Sequence, residues 1–139
     1  MSEENVQLVR RAYEAFNRWG IHPRGPRSPE IPPFIHPEVE FHTSPDAPEA
    51  GVYRGRDAVI QYHERVFGQF ARVQIELEEL LPAGDRVVIV TRQHTVPRES
   101  EAEVVQRVVD VWKIRDGQLA ERKAFSTRAD ALEAAGLSE

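Results

Sequence analysis

The chain has no cysteine in its 139 residues, which excludes disulfides, thiolate nucleophiles and cysteine-ligated metal centres. It has no apolar run near the roughly 20 residues that a membrane-spanning helix needs. Its first residues, MSEENVQLVRRAYEAF, are charged where a signal peptide carries an apolar centre. A long Lys/Arg block is also missing. Lys and Arg total 18 against 23 Asp and Glu, a formal net charge of −5, so no nucleic-acid-binding face is expected. These absences point to a cytoplasmic protein with neither nucleic acid nor membrane as a partner. Hydrophobic residues make up 40% and charged residues 29%, the balance of an ordinary globular chain. The length suits one domain over residues 1–139, able to bury roughly two-thirds of its unfolded surface and to enclose one pocket.

What is present reads as follows. Val6, Val9, Tyr13 and Phe16 recur at helical spacing, widened by Ala12 and Trp19, with Glu4, Arg11, Glu14 and Arg18 opposite. Ser2 is the expected N-cap of this helix and Gly20 its end. Six of the ten prolines then fall between Ile21 and Pro37 (Pro23, Pro26, Pro29, Pro32, Pro33 and Pro37), with Gly25 among them. That density removes amide donors and blocks helix, so an irregular loop is expected, pinned by apolar residues at 31–35. Long loops of this kind commonly serve as lids, binding loops or partner contacts.

Residues 39–42 read as a short strand, and a second loop carries Pro45, Pro48 and Gly51. Asp57 is the expected N-cap of a second helix, whose buried face carries Val59, Tyr62, His63, Val66, Phe67 and Phe70. The remainder is strand-rich: alternation at Val73, Ile75 and Leu77, a turn at 82–85, and strands at 86–96, 104–114 and 119–125. Thr127 caps a closing helix with Ala129, Leu132 and Ala135 on one face, and Gly136 ends it. A strongly twisted sheet with helices on one face is the packing that follows.

Four stretches carry a family resemblance. They are Asn5-Val6-x-Leu8-Val9-x-x-Ala12-Tyr13-x-Ala15-Phe16-Asn17, Pro37-x-Val39-Glu40-Phe41-His42, Gly51-x-Tyr53-Arg54-Gly55-Arg56-Asp57-Ala58-Val59 and Val111-Trp112-x-x-Arg115-Asp116-Gly117, the last followed by the tail from Ala129 to Leu137. In this order the chain resembles the nuclear transport factor 2-like superfamily and, within it, the SnoaL-like (polyketide cyclase-like) group. The resemblance implies an α+β, cone-shaped fold: a strongly curved, mainly antiparallel sheet wrapped around helices and enclosing a pocket. It also implies a homodimer through the outer sheet face and no organic cofactor or metal. Most relatives carry a second helix directly after the first; here the Pro-rich 21–37 loop stands in its place, at the mouth of the implied pocket.

Asp110 sits between Val109 and Val111, where a bare carboxylate is costly unless paired. Burial there raises a carboxyl's pKa and lets it act as an acid near neutral pH. The resemblance also sets this position facing the cavity. The alternative is a structural carboxylate bonded to Arg92, Arg107 or a histidine. Arg92 and His94 share a strand face with Val88 and Val90. If that face is the inner one, a His94–Asp110 pair would orient an imidazole as general base; if it is the outer one, His94 is solvated or interfacial. His63 lies on the apolar stripe of the second helix, as a second candidate base or a core residue. His42 shares a face with Glu40. In ketosteroid isomerase, a relative by fold, the proton-abstracting Asp lies near this strand's end, where this chain has His42 and Thr43, so steroid isomerisation by that route is not expected.

Tyr13, Tyr53, Trp112 and Phe125 are candidate walls of an aromatic pocket, with His42 and Arg92 as polar contacts, or else core residues. The histidines at 36, 42, 63 and 94 form no dense cluster, so no metal site is expected. The resulting expectation is a SnoaL-like domain binding a small apolar or aromatic ligand. As an enzyme it would be a cofactor-independent isomerase, cyclase or dehydratase moving a proton in a hydrophobic carbonyl compound, with Asp110, His94 and His63 as the acid/base set. The alternatives are a non-catalytic ligand-binding module and a dimeric interaction module of the same fold.

Overall fold

The computed structural model describes residues 2–23 and 29–137. Gly25 and Pro26 of the Pro-rich stretch, and the side chain of the expected cap Ser2, lie outside the described residues. Helix α1 (Ser2–Gly20) forms over the predicted apolar stripe, and Val6, Val9, Ala15 and Trp19 are buried. Its C-terminal turn is fixed to a strand edge. The Asn17 amide donates to the Ile75 carbonyl at 2.9 Å and accepts from the Ile75 amide at 2.8 Å, in the manner of a neighbouring strand. Gly20 permits this approach: a Cβ there would stand 2.1 Å from the Val73 carbonyl oxygen.

Strands β1 (Ile35–His42), β2 (Val52–Arg54), β3 (Phe70–Ala83), β4 (Arg86–Pro97), β5 (Val104–Arg115) and β6 (Gln118–Phe125) form one sheet in the order β2-β1-β6-β5-β4-β3. Only β1 and β6 run parallel. The sheet is curved and unclosed, in the α+β cone architecture that the resemblance implied. Helix α2 (Arg56–Phe67) packs on β1, and with α1 it covers the inner face around Val9, Val39, Val59, Val87, Ile89 and Trp112. Helix α3 (Arg128–Ala134) covers the outer face, where Ala131 and Leu132 meet Val88, Val90, Val109 and Val111. Among the described residues no helix is long and apolar enough to cross a membrane.

Several expectations are corrected in detail. The first strand begins at Ile35 and includes Pro37, because its pairing with β6 slips between Ile35 and Glu40 and asks no amide of the proline. Ile31 and Phe34 do anchor this approach on the inner core. Strand β2 was hidden inside the second loop by its three residues. Helix α2 is preceded by Gly55, not capped by Asp57, which lies in the first turn where its charge suits the dipole. Phe70 opens β3 rather than closing α2. In α3 Thr127 accepts from the Asp130 amide at 3.1 Å as predicted, but Ala131, not Ala129, is buried with Leu132.

Replacing Asn17 removes both bonds to Ile75 and leaves that strand edge bare. Asn17→Ala should therefore destabilise the protein by about 1–3 kcal/mol in urea unfolding with an unchanged m-value. A loss under about 0.5 kcal/mol would show that the clamp carries no stability.

Candidate functional site

Strand alternation sends Val109 and Val111 outward beneath α3 and turns Asp110 and Trp112 inward. The carboxylate is thus buried, 5% exposed, and its partner comes from β6. The Asp116-Gly117 turn pairs Ile114 with Leu119, and in unbroken register it would set Lys123 opposite Asp110. A β-bulge at Ala120 shifts the pairing, so that Lys113 meets Glu121, Trp112 meets Arg122 and Asp110 meets Ala124. Glu121 and Lys123 move outward and Arg122 turns in. Arg122 Nη2 donates to Asp110 Oδ1 at 2.7 Å, and Nη1 donates to the His42 carbonyl at 3.0 Å. Its guanidinium lies 4.6 Å from the Phe41 ring centre.

Tyr13 of α1 completes this corner. Its hydroxyl accepts from Trp112 Nε1 at 3.2 Å and donates to Asp110 Oδ2 at 3.5 Å. Burial pushes the Asp110 carboxyl above its ordinary value, opposed by the Arg122 charge and by the bonds from Arg122 and Tyr13. Burial, reinforced by the Asp110 charge, also holds the Tyr13 phenol protonated well above its usual range.

On the other side of Phe41 stands His63 of α2, its ring edge-on to Phe41 at 4.9 Å and stacked on Phe67 at 5.6 Å. Burial lowers its pKa to about 4, with the Arg122 charge acting in the same direction and the Val59 carbonyl against it. The ring is therefore neutral at pH 7. Its Nδ1 lies 2.8 Å from the Val59 carbonyl, an oxygen that only accepts, so the proton sits on Nδ1 and Nε2, with no hydrogen-bond partner among the described residues, carries a lone pair.

Asp110, Arg122, Tyr13, Trp112 and His63 all line one cavity of about 750 Å³ between the inner sheet face, α1 and α2. Phe16, Trp19, Phe41 and Phe67 supply most of its remaining aromatic wall. That volume is in the range of small-molecule sites.

Five expected site residues stand elsewhere; one is Phe125, which pairs with outward-facing Val109 and packs on the cluster beneath α3. His94 does not meet Asp110: in β4 the inward partner of Asp110 is Ile89, and His94, an odd number of residues further on, faces outward. There it bridges Glu76 at 3.0 Å and Glu103 at 3.1 Å. Arg92 shares that outer face, 3.3 Å from Glu78, and neither it nor Arg107 pairs with Asp110. His42 bonds Glu40 at 2.6 Å on the side of β1 away from Phe41, and gives the cavity corner only its carbonyl. Tyr53 packs its ring, tilted by 39°, on that of Tyr62 at 4.4 Å and donates to the Glu49 carbonyl.

Arg122 was missed, since period-two reading from the turn puts Lys123 inward. Only the buried Leu119-Ala120 pair, breaking the alternation, hints at the bulge. For a metal, His42, Glu40 and Glu121 offer ligand atoms within 4.8 Å of one another. Arg54 and Lys123 lie 3.6 and 3.8 Å from those carboxylates, which makes the group a surface ion-pair network.

Residues 9–122 match the model of the SnoaL-like domain. The chain belongs to the SnoaL-like family of the nuclear transport factor 2-like superfamily. Its coarse function is accordingly that of a small-molecule-binding domain. No curated protein matches it. Similar solved structures include an NTF2-like protein of unknown function from Burkholderia pseudomallei, with 22% identity over 94% of this chain and 95% of that one and a TM-score of 0.73. Bal32a, from a soil-derived mobile gene cassette, shares 21% identity over 89% of each chain, with a TM-score of 0.75. A protein of ketosteroid isomerase-like fold from Catenulispora acidiphila, in complex with trimethylamine, shares 14% identity over 94% of this chain and 93% of that one, with a TM-score of 0.69.

The outward histidine makes a pH prediction. Both His94 nitrogens face carboxylates, so bonds to Glu76 and Glu103 raise its pKa above 6.5. A raised folded-state value means that the charged ring stabilises fully below the unfolded value and less as pH rises through the folded one. The unfolding free energy of wild type minus that of His94→Gln should be largest near about pH 6 and shrink toward about pH 9. A pH-independent difference would contradict the bridge.

Proposed function

We propose that this SnoaL-like domain binds an apolar, aromatic carbonyl compound in the cavity and moves a proton within it, without a cofactor. The observation that carries the proposal is one aromatic-walled cavity holding two polar groups of opposite character: the bare Nε2 of a neutral His63, and the Arg122–Asp110 pair beside the Tyr13 hydroxyl. Groups whose surroundings push their proton affinities apart are what acid/base chemistry at neutral pH requires.

In this reading His63 Nε2 removes a proton from the carbon next to the carbonyl. The C–H electrons form the C=C bond of an enolate, and the carbonyl oxygen takes the negative charge opposite Arg122. The guanidinium has five N–H donors and commits one each to Asp110 and the His42 carbonyl, leaving others for that oxygen. Asp110 holds the guanidinium in place and Tyr13 holds Asp110, so the donor role expected of Asp110 passes to Arg122. The His63 imidazolium then returns its proton to the same carbon or to a conjugated one, which gives exchange or isomerisation. The apolar wall excludes the water that would screen both steps. Cytoplasmic location and a dimer through the outer face remain part of this proposal.

The test uses 2-acetylnaphthalene in D2O, following loss of its acetyl proton signal by NMR. Wild type should accelerate exchange, and His63→Ala should lose about 100-fold or more of that acceleration, the usual range for one general base. His94→Gln, on the outer face, should keep it. If wild type binds the probe yet exchange runs at the solvent rate, the domain is a non-catalytic binding module.

A further inference from the structure

Among the described residues, Trp19 Nε1 is a buried side-chain donor with no hydrogen-bond partner. Trp19 is 8% exposed and lines the cavity. An orphaned buried N–H keeps the cost of leaving water with no bond to offset it, so in a native protein it calls for an explanation. The other indole, that of Trp112, shows the contrast: it too lines the cavity, and its N–H is bonded to Tyr13. The chain thus satisfies one cavity indole internally and leaves the other open. The ring packed on Trp19 is Phe16, at 5.6 Å, and Phe16 in turn meets Phe67 at 5.4 Å. Those walls offer a trapped water little toward the two to four polar partners that it needs. They do suit an aromatic body that presents one acceptor to the indole.

Position along α1 sets the distance. Tyr13 marks the Arg122–Asp110 corner, and Trp19 comes six residues later, an axial rise of about 9 Å. From this we infer a second ligand subsite at Trp19, which takes a carbonyl or ether oxygen at the far end of a ligand whose first carbonyl lies at Arg122. The ligand class is therefore a flat, elongated, fused-ring aromatic compound with acceptor oxygens at both ends. Trp19 is a binding and orienting residue here, since its N–H touches the end of the ligand that does not react. The inference rests on the reading of the cavity as an aromatic carbonyl site.

Three probes test it on the whole chain by titration calorimetry: 2-acetylnaphthalene, 2,6-diacetylnaphthalene, and 2-acetyl-6-isopropenylnaphthalene, in which CH2 replaces the far oxygen at the same shape. Wild type should bind the diacetyl compound about tenfold more tightly than its isopropenyl isostere, as one neutral hydrogen bond to an otherwise unpaired donor predicts. Trp19→Phe should bring that ratio below about twofold while still binding 2-acetylnaphthalene. A readout on the unaltered protein guards against a poorly folded variant: the Trp19 indole proton should move downfield in NMR with the diacetyl compound and not with the isostere. Equal affinities for the two probes in wild type, or an unmoved Trp19 resonance, would overturn the subsite and leave the cavity reading intact. If wild type binds none of the three, both fall.

Discussion

The buried ion pair between Asp110 and Arg122 is the interaction on which the rest of the site depends. A carboxylate in a valine-rich strand is untenable alone, and removing either partner of such a pair typically costs about 3–5 kcal/mol. Arg122 reaches Asp110 only because the bulge at Ala120 reverses the facing of the last five residues of β6, Glu121 to Phe125. One inserted residue therefore decides whether an arginine or a lysine enters the cavity. A lysine in that position would offer a point charge in place of a planar fork. With the arginine inside, a single guanidinium bonds Asp110, ties β6 to the end of β1 through the His42 carbonyl, and covers the Phe41 ring.

The pair also acts at a distance. Phe41 separates Arg122 from His63, and the positive charge adds to burial in keeping the imidazole neutral. Acid and base sides are thus held apart by one aromatic ring within one cavity. The two sheet faces divide the work. Inward positions of β4, β5 and β6 carry Ile89, Asp110, Trp112 and Arg122. Outward ones carry the valines beneath α3 and a band of bridged charges, among them His94 with Glu76 and Glu103, and Arg92 with Glu78.

Much of this was legible in the residues. The apolar stripe of α1, the hairpins from Val73 to Phe125 and the Thr127 cap follow from spacing and turn chemistry, and Asp110 announces itself by interrupting a run of valines. Alternation also groups Arg92 and His94 correctly with Val88 and Val90. It cannot say which group faces inward, because a period of two carries no sign; that depends on where α1 and α2 pack and which face α3 takes. Arg122 was illegible for a different reason. A bulge is a local register change, and the turn at Asp116-Gly117 fixes the pairing only up to it. Tyr53 and His42 look like pocket residues until β2 pairs with β1 and gives each a nearer partner: Glu49 and Tyr62 for one, Glu40 for the other.

The central claim is that His63 is a neutral base with its proton on Nδ1, held so by burial and by Arg122. Titrating the His63 ring by two-dimensional ¹H–¹⁵N NMR across the acid and neutral range tests it most directly. The account predicts an uncharged ring at neutral pH, the Nδ1–H tautomer, and protonation only near pH 4. Titration at the ordinary value near 6.5, or a proton on Nε2, would contradict it.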